Sequence, residues 1–189
     1  MSKEAATKHI LIQLNKMELG EHNLLIYNST EEQKALMSAI AKERLYYKNE
    51  IVVILPYYET VAAVEQQLEN IEVDVSYHKK GGSLFVLDAV EQLFGSAYDF
   101  STFLKLLDQN ALKSGRTGVF VLIHLDALFL YGENSIDKML EYEQKIADLG
   151  LEHTILVCAY HRTQIESLDK NVKQMLFADH QNTLFSQGF

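Results

Sequence analysis

Residues Ile51 to Leu55 read IVVIL, an unbroken apolar run with the length of one β-strand. Pro56 follows directly and ends the run. A strand that is apolar at every position, rather than at every second one, is typical of a parallel sheet buried under helices on both faces. This stretch therefore predicts an α/β fold around a buried central sheet.

Further short apolar runs alternate along the chain with longer segments of helical periodicity. This alternation predicts a three-layer α/β protein, with a mostly parallel central sheet and helices on both faces. The other expected strands are Asn23 to Tyr27, Ile71 to Tyr77, Leu84 to Leu87, Val119 to Ile123, Thr154 to Cys158 and a short one at Asn182 to Phe185.

Helical segments fill the spaces between these strands. Ser29 and Glu32 have capping-box spacing after the first strand, and Leu168 to Ala178 predicts a final helix. In the helix before the Thr154 strand, we expect Glu141 and Glu143 on a solvated face, with Glu143 near the apolar stripe.

The composition favours one domain. The chain has 189 residues, 48% of them hydrophobic, and lacks a Pro/Gly/Ser-rich linker, so we predict a single domain over 1–189 with its core at about 20–185. The formal net charge of −9 argues against direct nucleic-acid binding and against an anionic membrane surface.

The compartment follows from the cysteine content and the N-terminus. Cys158 is the only cysteine, so no internal disulfide can form and a reducing environment is expected. Met1 to Lys8 is polar and lacks the apolar segment of a signal peptide. We therefore expect a soluble, cytoplasmic protein.

Common catalytic and nucleotide-binding motifs are missing. The loop Asn28-Ser29-Thr30 has no glycine to wrap a phosphate, and the glycines at 81–82 precede a strand rather than a helix. Leu84 to Asp88 (LFVLD) is similar to a Walker-B strand but has no phosphate loop to partner it. The sequence offers no nucleophile–base pair, so a small enzyme that uses a histidine as general base is the least favoured functional class.

Ligands of open α/β sheets bind outside the carboxyl ends of the strands, so the residues there are the candidates for a site. Aromatic and polar side chains together suit a pocket for a small organic molecule. Structural roles compete with this interpretation: tyrosines can cap a core, aspartates can cap helices, and a cysteine in an apolar strand packs as an inert thiol. The primary candidates are Tyr27, Tyr57, Asp88, His124, Tyr160 and His161, and the secondary ones are His22, Asp126, Cys158 and Arg162. Their spacing supports neither a metal site nor a cofactor.

Several of these residues lie in segments that resemble a known family. His22 precedes an apolar strand that ends in Tyr27, and Gly82 to Ala89 is similar to the family's Gly-x-Leu-x-x-x-Asp-Ala segment. Leu140 to Glu143 and Ile155 to Tyr160 are similar to its Leu-Glu helix and to its closing strand with Cys-x-Tyr. In order and spacing, the chain resembles a MEDS domain, the sensory domain of the dichloromethane-responsive repressor and its methanogen and methylotroph relatives.

The resemblance covers roughly Gly20 to Phe185 and implies a divergent RecA-like fold without the phosphate loop. It also implies a non-catalytic sensor that binds a small, one-carbon or hydrocarbon-derived molecule. Where many members carry an acidic residue followed by Met, this chain has His124-Leu125. Many members are fused to a DNA-binding or kinase domain; here we expect the signal to leave through a partner protein, with a homo-oligomer as a further option. The alternative is a degenerate RecA/KaiC-like protein that binds nucleotide or regulates an active ATPase.

Overall fold

Six strands form one sheet in which every neighbouring pair is parallel. The computed structural model of the protein describes residues 3–94 and 99–186. The strand order is β3-β2-β4-β5-β1-β6. The strands are β1 (His22–Tyr27), β2 (Ile51–Leu55), β3 (Leu84–Val86), β4 (Val119–His124), β5 (Thr154–His161) and β6 (Asn182–Phe185). The predicted parallel α/β sheet is confirmed.

Helices connect the strands and cover both faces of the sheet. They are α1 (Lys3–Leu14), α2 (Thr30–Lys42), α3 (Val61–Asn70), α4 (Val75–Lys80), α5 (Ala89–Phe94), α6 (Phe100–Ala111), α7 (Ser135–Ala147), α8 (Arg162–Ser167) and α9 (Lys170–Ala178). A π-helical turn, Glu43–Tyr47, extends α2, and 3₁₀ turns occupy Leu112–Ser114 and Leu125–Asn134. Among the described residues, no helix is long and apolar enough to cross a bilayer.

The core has two halves, one on each face of the sheet. Leu25 and Tyr27 of β1 join the half that holds α1 to α4, whereas Leu24 and Ile26 join the half that holds α5 to α9. Successive side chains of a strand point to opposite faces, so each strand contributes to both halves. This burial on both sides explains why β2 is apolar throughout.

The strand predicted at Ile71 to Tyr77 is wrong. The turn between α3 and α4 and the first three residues of α4 occupy this segment. Glu72 has φ of +66°, a left-handed conformation that interrupts an extended strand. The Asp74 side chain then accepts a hydrogen bond from the backbone N–H of Tyr77 at 2.9 Å and caps α4. The alternating apolar residues mark a turn that packs against the core rather than a strand.

Helix α1 packs onto the core although it precedes the core range expected from the sequence. Ile10 and Leu14, four residues apart on one side of the helix, are both about 1% exposed. The buried Arg44 side chain donates to the backbone carbonyl of Leu14 and, at 3.1 Å, to Glu50. Its guanidinium also lies 4.5 Å from the centre of the Phe120 ring. Arg44 thereby ties the end of α1 to the sheet.

Truncating α1 on its buried side should destabilise the whole domain. We expect Leu14→Ala to lower the free energy of unfolding by about 3 kcal/mol, because it removes a buried side chain and leaves a cavity. The matched control Ile12→Ala, at a position 48% exposed, should cost less than about 1 kcal/mol. Urea unfolding measures both; equal effects would show that α1 does not belong to the core.

Candidate functional site

Four strand ends meet at the carboxyl edge of the sheet and build what we call the edge site: Tyr27, Gln33, Tyr58, His124, Asp126 and His161. The chain leaves β1 for α2 on one face of the sheet and leaves the neighbouring β5 for α8 on the other face. Such a topological switch point opens a crevice between the diverging connections, and ligands of α/β proteins bind there.

A buried carboxylate lies at the centre of the edge site. Asp126 is 2% exposed and follows β4 in the 3₁₀ turns. The hydroxyl of Tyr27 donates to Asp126 Oδ2, and the backbone N–H of His161 donates to Asp126 Oδ1 at 2.8 Å. Burial raises the pKa of Asp126 to about 6, and these two hydrogen bonds offset only part of that effect. Asp126 therefore joins the ends of β1, β4 and β5 through one side chain.

A neutral histidine lies beside this carboxylate. His124 Nδ1 lies 3.0 Å from the carbonyl oxygen of Leu55, which can only accept, so Nδ1 carries the proton. His124 Nε2 then accepts a hydrogen bond from the Gln33 amide at 3.0 Å. Burial lowers the pKa of His124 to about 4, so the ring is uncharged at neutral pH.

Aromatic rings surround the Tyr27 ring edge-on. Its centre lies 5.4 Å from that of His161, 5.9 Å from that of His124 and 6.5 Å from that of Tyr58. Tyr57 stacks at a tilt on Tyr58, with 4.7 Å between the ring centres. Tyr58 is 40% exposed and covers Tyr27 from the solvent side. Burial raises the pKa of Tyr58 to about 12.

Two candidate residues from the sequence lie apart from Asp126. Asp88 follows β3, and three strands separate β3 from β1, a distance of about 19 Å across the sheet. Its carboxylate accepts from the backbone N–H of Glu91 at 2.8 Å, in the first turn of α5. Arg162 donates to the Asn28 side chain at 2.9 Å and lies 3.1 Å from Glu166, at the margin of the edge site.

The remaining candidates, His22, Cys158 and Tyr160, lie on the opposite face of the sheet. There His22 and Cys158 meet Glu143 and His180 in a second polar group, which we call the four-residue cluster. His22 Nε2 lies 3.2 Å from both Glu143 Oε2 and Cys158 Sγ, and His180 Nε2 lies 3.4 Å from Glu143 Oε2. The Tyr160 hydroxyl donates to Glu143 Oε1 at 2.5 Å. The structure thus divides the candidate residues between two groups.

The prediction that Glu143 lies on a solvated face of α7 is wrong. Its side chain is fully buried rather than directed into water. Burial raises the pKa of the Glu143 carboxyl, but contacts with His180 and His22 outweigh that effect and hold the pKa below its usual range. Glu143 also raises the pKa of His180 against the effect of burial. The signal that the sequence offered was the position of Glu143 beside the apolar stripe of α7.

A carboxylate of the protein itself lies beside the N-terminus of α2. Ser29 caps the helix, as predicted, by accepting from the backbone N–H of Glu32 at 3.2 Å. Glu32 Oε2 in turn accepts from the backbone N–H of Asn28 at 3.0 Å and from the Ser186 hydroxyl at 2.6 Å. This negative charge beside the helix N-terminus opposes the binding of a phosphate there.

The all-parallel sheet and its strand order place the protein in the RecA-like class of α/β folds. It resembles a KaiC-like protein of Pyrococcus horikoshii OT3 with a TM-score of 0.61 and 14% identity, covering 89% of this chain and 72% of that one. A second Pyrococcus horikoshii OT3 structure matches with a TM-score of 0.58 and 14% identity, covering 99% of this chain and 88% of that one. At such identities the likeness concerns the fold.

Residues 21–176 match the MEDS family, described as the MEthanogen/methylotroph, DcmR Sensory domain. The chain belongs to this family, and its family relationship indicates a sensory or signalling role. No curated protein sequence matches the chain.

The two buried ionisable groups of the edge site predict opposite pH dependences of stability. The pKa of Asp126 is about 4 when unfolded and about 6 when folded, so its contribution is lost as pH rises from 4 to 6. The pKa of His124 is about 6.5 when unfolded and about 4 when folded, so its contribution is gained over nearly the same interval. In the wild type the two effects largely cancel.

Single variants should separate the pH dependence of stability due to Asp126 from that due to His124. Relative to wild type, the unfolding free energy of Asp126→Asn should rise by about 3 kcal/mol between pH 4 and 6.5, and that of His124→Asn should fall by about as much. Urea unfolding across this pH range measures the difference in unfolding free energy between each variant and the wild type. The contributions of all other titratable groups cancel in this difference. Parallel curves for the three proteins would contradict the two pKa shifts.

Proposed function

We propose that this MEDS-family domain is a non-catalytic sensor that binds a small organic molecule at the edge site and signals through a partner protein. The observation that carries the proposal is the hydrogen-bonded Tyr27–Asp126 pair at the switch point of the sheet. Directed polar groups set among aromatic walls are typical of sites for small organic ligands.

The chemistry of the edge site favours a small, uncharged ligand. Asp126 is ionised above pH 6 and His124 is neutral, so the site carries negative charge and disfavours an anion. The rings of Tyr27, Tyr57 and Tyr58 supply apolar contact. A molecule with one hydroxyl or similar polar group can bond to Asp126 while its apolar part packs on these rings. Tyr58 must move aside for the ligand to enter.

Displacing the Tyr27 hydroxyl gives the ligand a way to change the shape of the domain. Asp126 holds the end of β1 through Tyr27 and the start of α8 through the backbone of His161. A ligand that takes one of these hydrogen bonds alters how α8 is held against the sheet. Such a local change, passed to a helix on the surface, is a common form of switching.

Ligand binding should raise the melting temperature. In a panel of small alcohols, methylated compounds and halocarbons, a ligand at a hundred times its Kd adds about 2.7 kcal/mol, or about 5–10 °C for a domain of this size. Asp126→Ala should abolish the rise, because it removes the carboxylate to which the polar group of the ligand bonds. The control Tyr77→Phe, 66% exposed on α4, should retain it.

The same panel includes Mg-ATP, since the KaiC-like neighbours favour nucleotide binding as the alternative function. We expect no rise with Mg-ATP because of the Glu32 carboxylate at the α2 N-terminus. A rise with Mg-ATP and none with an organic compound would replace the sensor with a nucleotide-binding protein. A rise that survives Asp126→Ala would move the ligand site away from Asp126.

The partner protein is tested separately. With the full chain as bait, we expect a pull-down to recover a specific protein in an amount that changes at least about threefold with the stabilising ligand, a coupling of about 0.7 kcal/mol. The bait Tyr27→Phe should show the same recovery with and without ligand. Recovery of no specific protein under either condition would contradict signalling by association.

A further inference from the structure

The four-residue cluster brings metal-ligating side chains together from four separate elements. His22 opens β1, Cys158 lies within β5, Glu143 lies on α7, and His180 lies between α9 and β6. All four are buried, with exposed fractions of 6% for His22, 7% for His180 and 0% for the other two. Burying so many polar groups at one point is costly unless something pairs them.

His180 and Glu143 face each other with two hydrogen-bond acceptors, because the other polar atom of each side chain is already hydrogen-bonded. His180 Nδ1 donates to the Leu176 carbonyl at 2.6 Å, which leaves a lone pair on Nε2. The Tyr160 hydroxyl donates to Glu143 Oε1, and Glu143 Oε2 faces His180 Nε2 at 3.4 Å and His22 Nε2 at 3.2 Å. Within the described part of the chain, neither inner atom has a hydrogen-bond partner. A cation between them would satisfy both.

The distances fit a tetrahedral metal. Zinc ligands lie about 2.0–2.3 Å from the ion, which places neighbouring ligand atoms about 3.3–3.8 Å apart. The contacts of His22 Nε2 with Glu143 and Cys158 are 3.2 Å, and the contact of His180 with Glu143 is 3.4 Å. All four ligand atoms lie within 4.8 Å of one another. Small side-chain shifts would therefore complete the coordination.

We propose that His22, Glu143, Cys158 and His180 bind a divalent zinc-type ion through one nitrogen, oxygen or sulfur atom each. Two neutral imidazoles, one carboxylate and one thiolate balance a charge of +2. Imidazole and thiolate ligands favour zinc over magnesium or calcium. The bonds from His180 to Leu176 and from Glu143 to Tyr160 supply the outer contacts that orient metal ligands.

The ion would have a structural role. Four protein ligands close the coordination sphere, as in structural zinc sites. The neighbouring cavity beside His22 holds only about 30 Å³, room for one water. The ion joins β1, β5, α7 and the segment leading to β6 on the face of the sheet opposite the edge site. The inference goes beyond the proposed sensing function and does not depend on it.

Cobalt provides a direct test on the intact chain. After removal of bound metal with a chelator, Co²⁺ should bind one per chain, with the strong visible bands of a tetrahedral site and a thiolate-to-cobalt charge-transfer band. Cys158 is the only cysteine, so that band can arise from this cluster alone. Zn²⁺ should displace Co²⁺ and, at a hundred times its Kd, raise the melting temperature by about 5–10 °C.

Variants distinguish the four-residue cluster from other histidines of the chain. Cys158→Ser should abolish the charge-transfer band, and His180→Asn should weaken Co²⁺ binding more than about tenfold, a loss that even an outer-shell partner causes. His78→Asn, a buried histidine bonded to Ser83 outside the cluster, should bind cobalt as the wild type does.

A proton on His180 is the competing occupant, because it too would separate the two acceptors and leave an ion pair with Glu143. Wild-type protein that takes up no Co²⁺, or shows cobalt spectra without a thiolate band, would overturn the metal site in favour of that proton. Equal binding by His180→Asn and His78→Asn would do the same. If His180→Asn fails to fold, the wild-type spectrum and Cys158→Ser decide the question.

Discussion

The parallel pairing of β1 with β5 fixes both polar groups of this protein. Its register sets Tyr27 opposite His161 and Leu24 opposite Cys158. Because side chains alternate along a strand, Tyr27 and His161 lie on one face, whereas His22, Cys158 and Tyr160 lie on the other. A slip of one residue would exchange these faces and dismantle both groups at once. The apolar side chains around them enforce the register, since both faces are buried.

The edge site and the four-residue cluster shift the pKa of a buried carboxylate in opposite directions. Asp126 is paired with a phenol and a backbone amide, which stabilise its charge less than burial opposes it, so its pKa rises to about 6. Glu143 faces two histidines, and its pKa falls below the usual range. The first arrangement leaves a group whose bonds a ligand can rearrange. The second attracts a cation and suits a fixed structural point.

The first connection of this RecA-like fold, between β1 and α2, carries acidic rather than phosphate-binding chemistry. The Glu32 carboxylate accepts hydrogen bonds from Asn28 and Ser186 beside the N-terminus of α2, and the Ser29 side chain caps the helix. Meanwhile the neighbouring strand ends gather tyrosine and histidine rings. The crevice that the topology creates is thus lined by aromatic rings, which suits the uncharged ligand proposed above.

Local patterns in the sequence determined most of the sheet, the cap at Ser29 and the presence of tyrosine and histidine at the strand ends. They misled at Ile71 to Tyr77, where the alternation belongs to a turn with Glu72 in a left-handed conformation. Only the tertiary structure decided which candidates meet. Strand order removed Asp88 from the edge site, and the packing of α7 and the segment before β6 brought Glu143 and His180 to Cys158. Residues so far apart in the chain are brought together by the crossovers and packing of whole elements, which short-range periodicity does not encode.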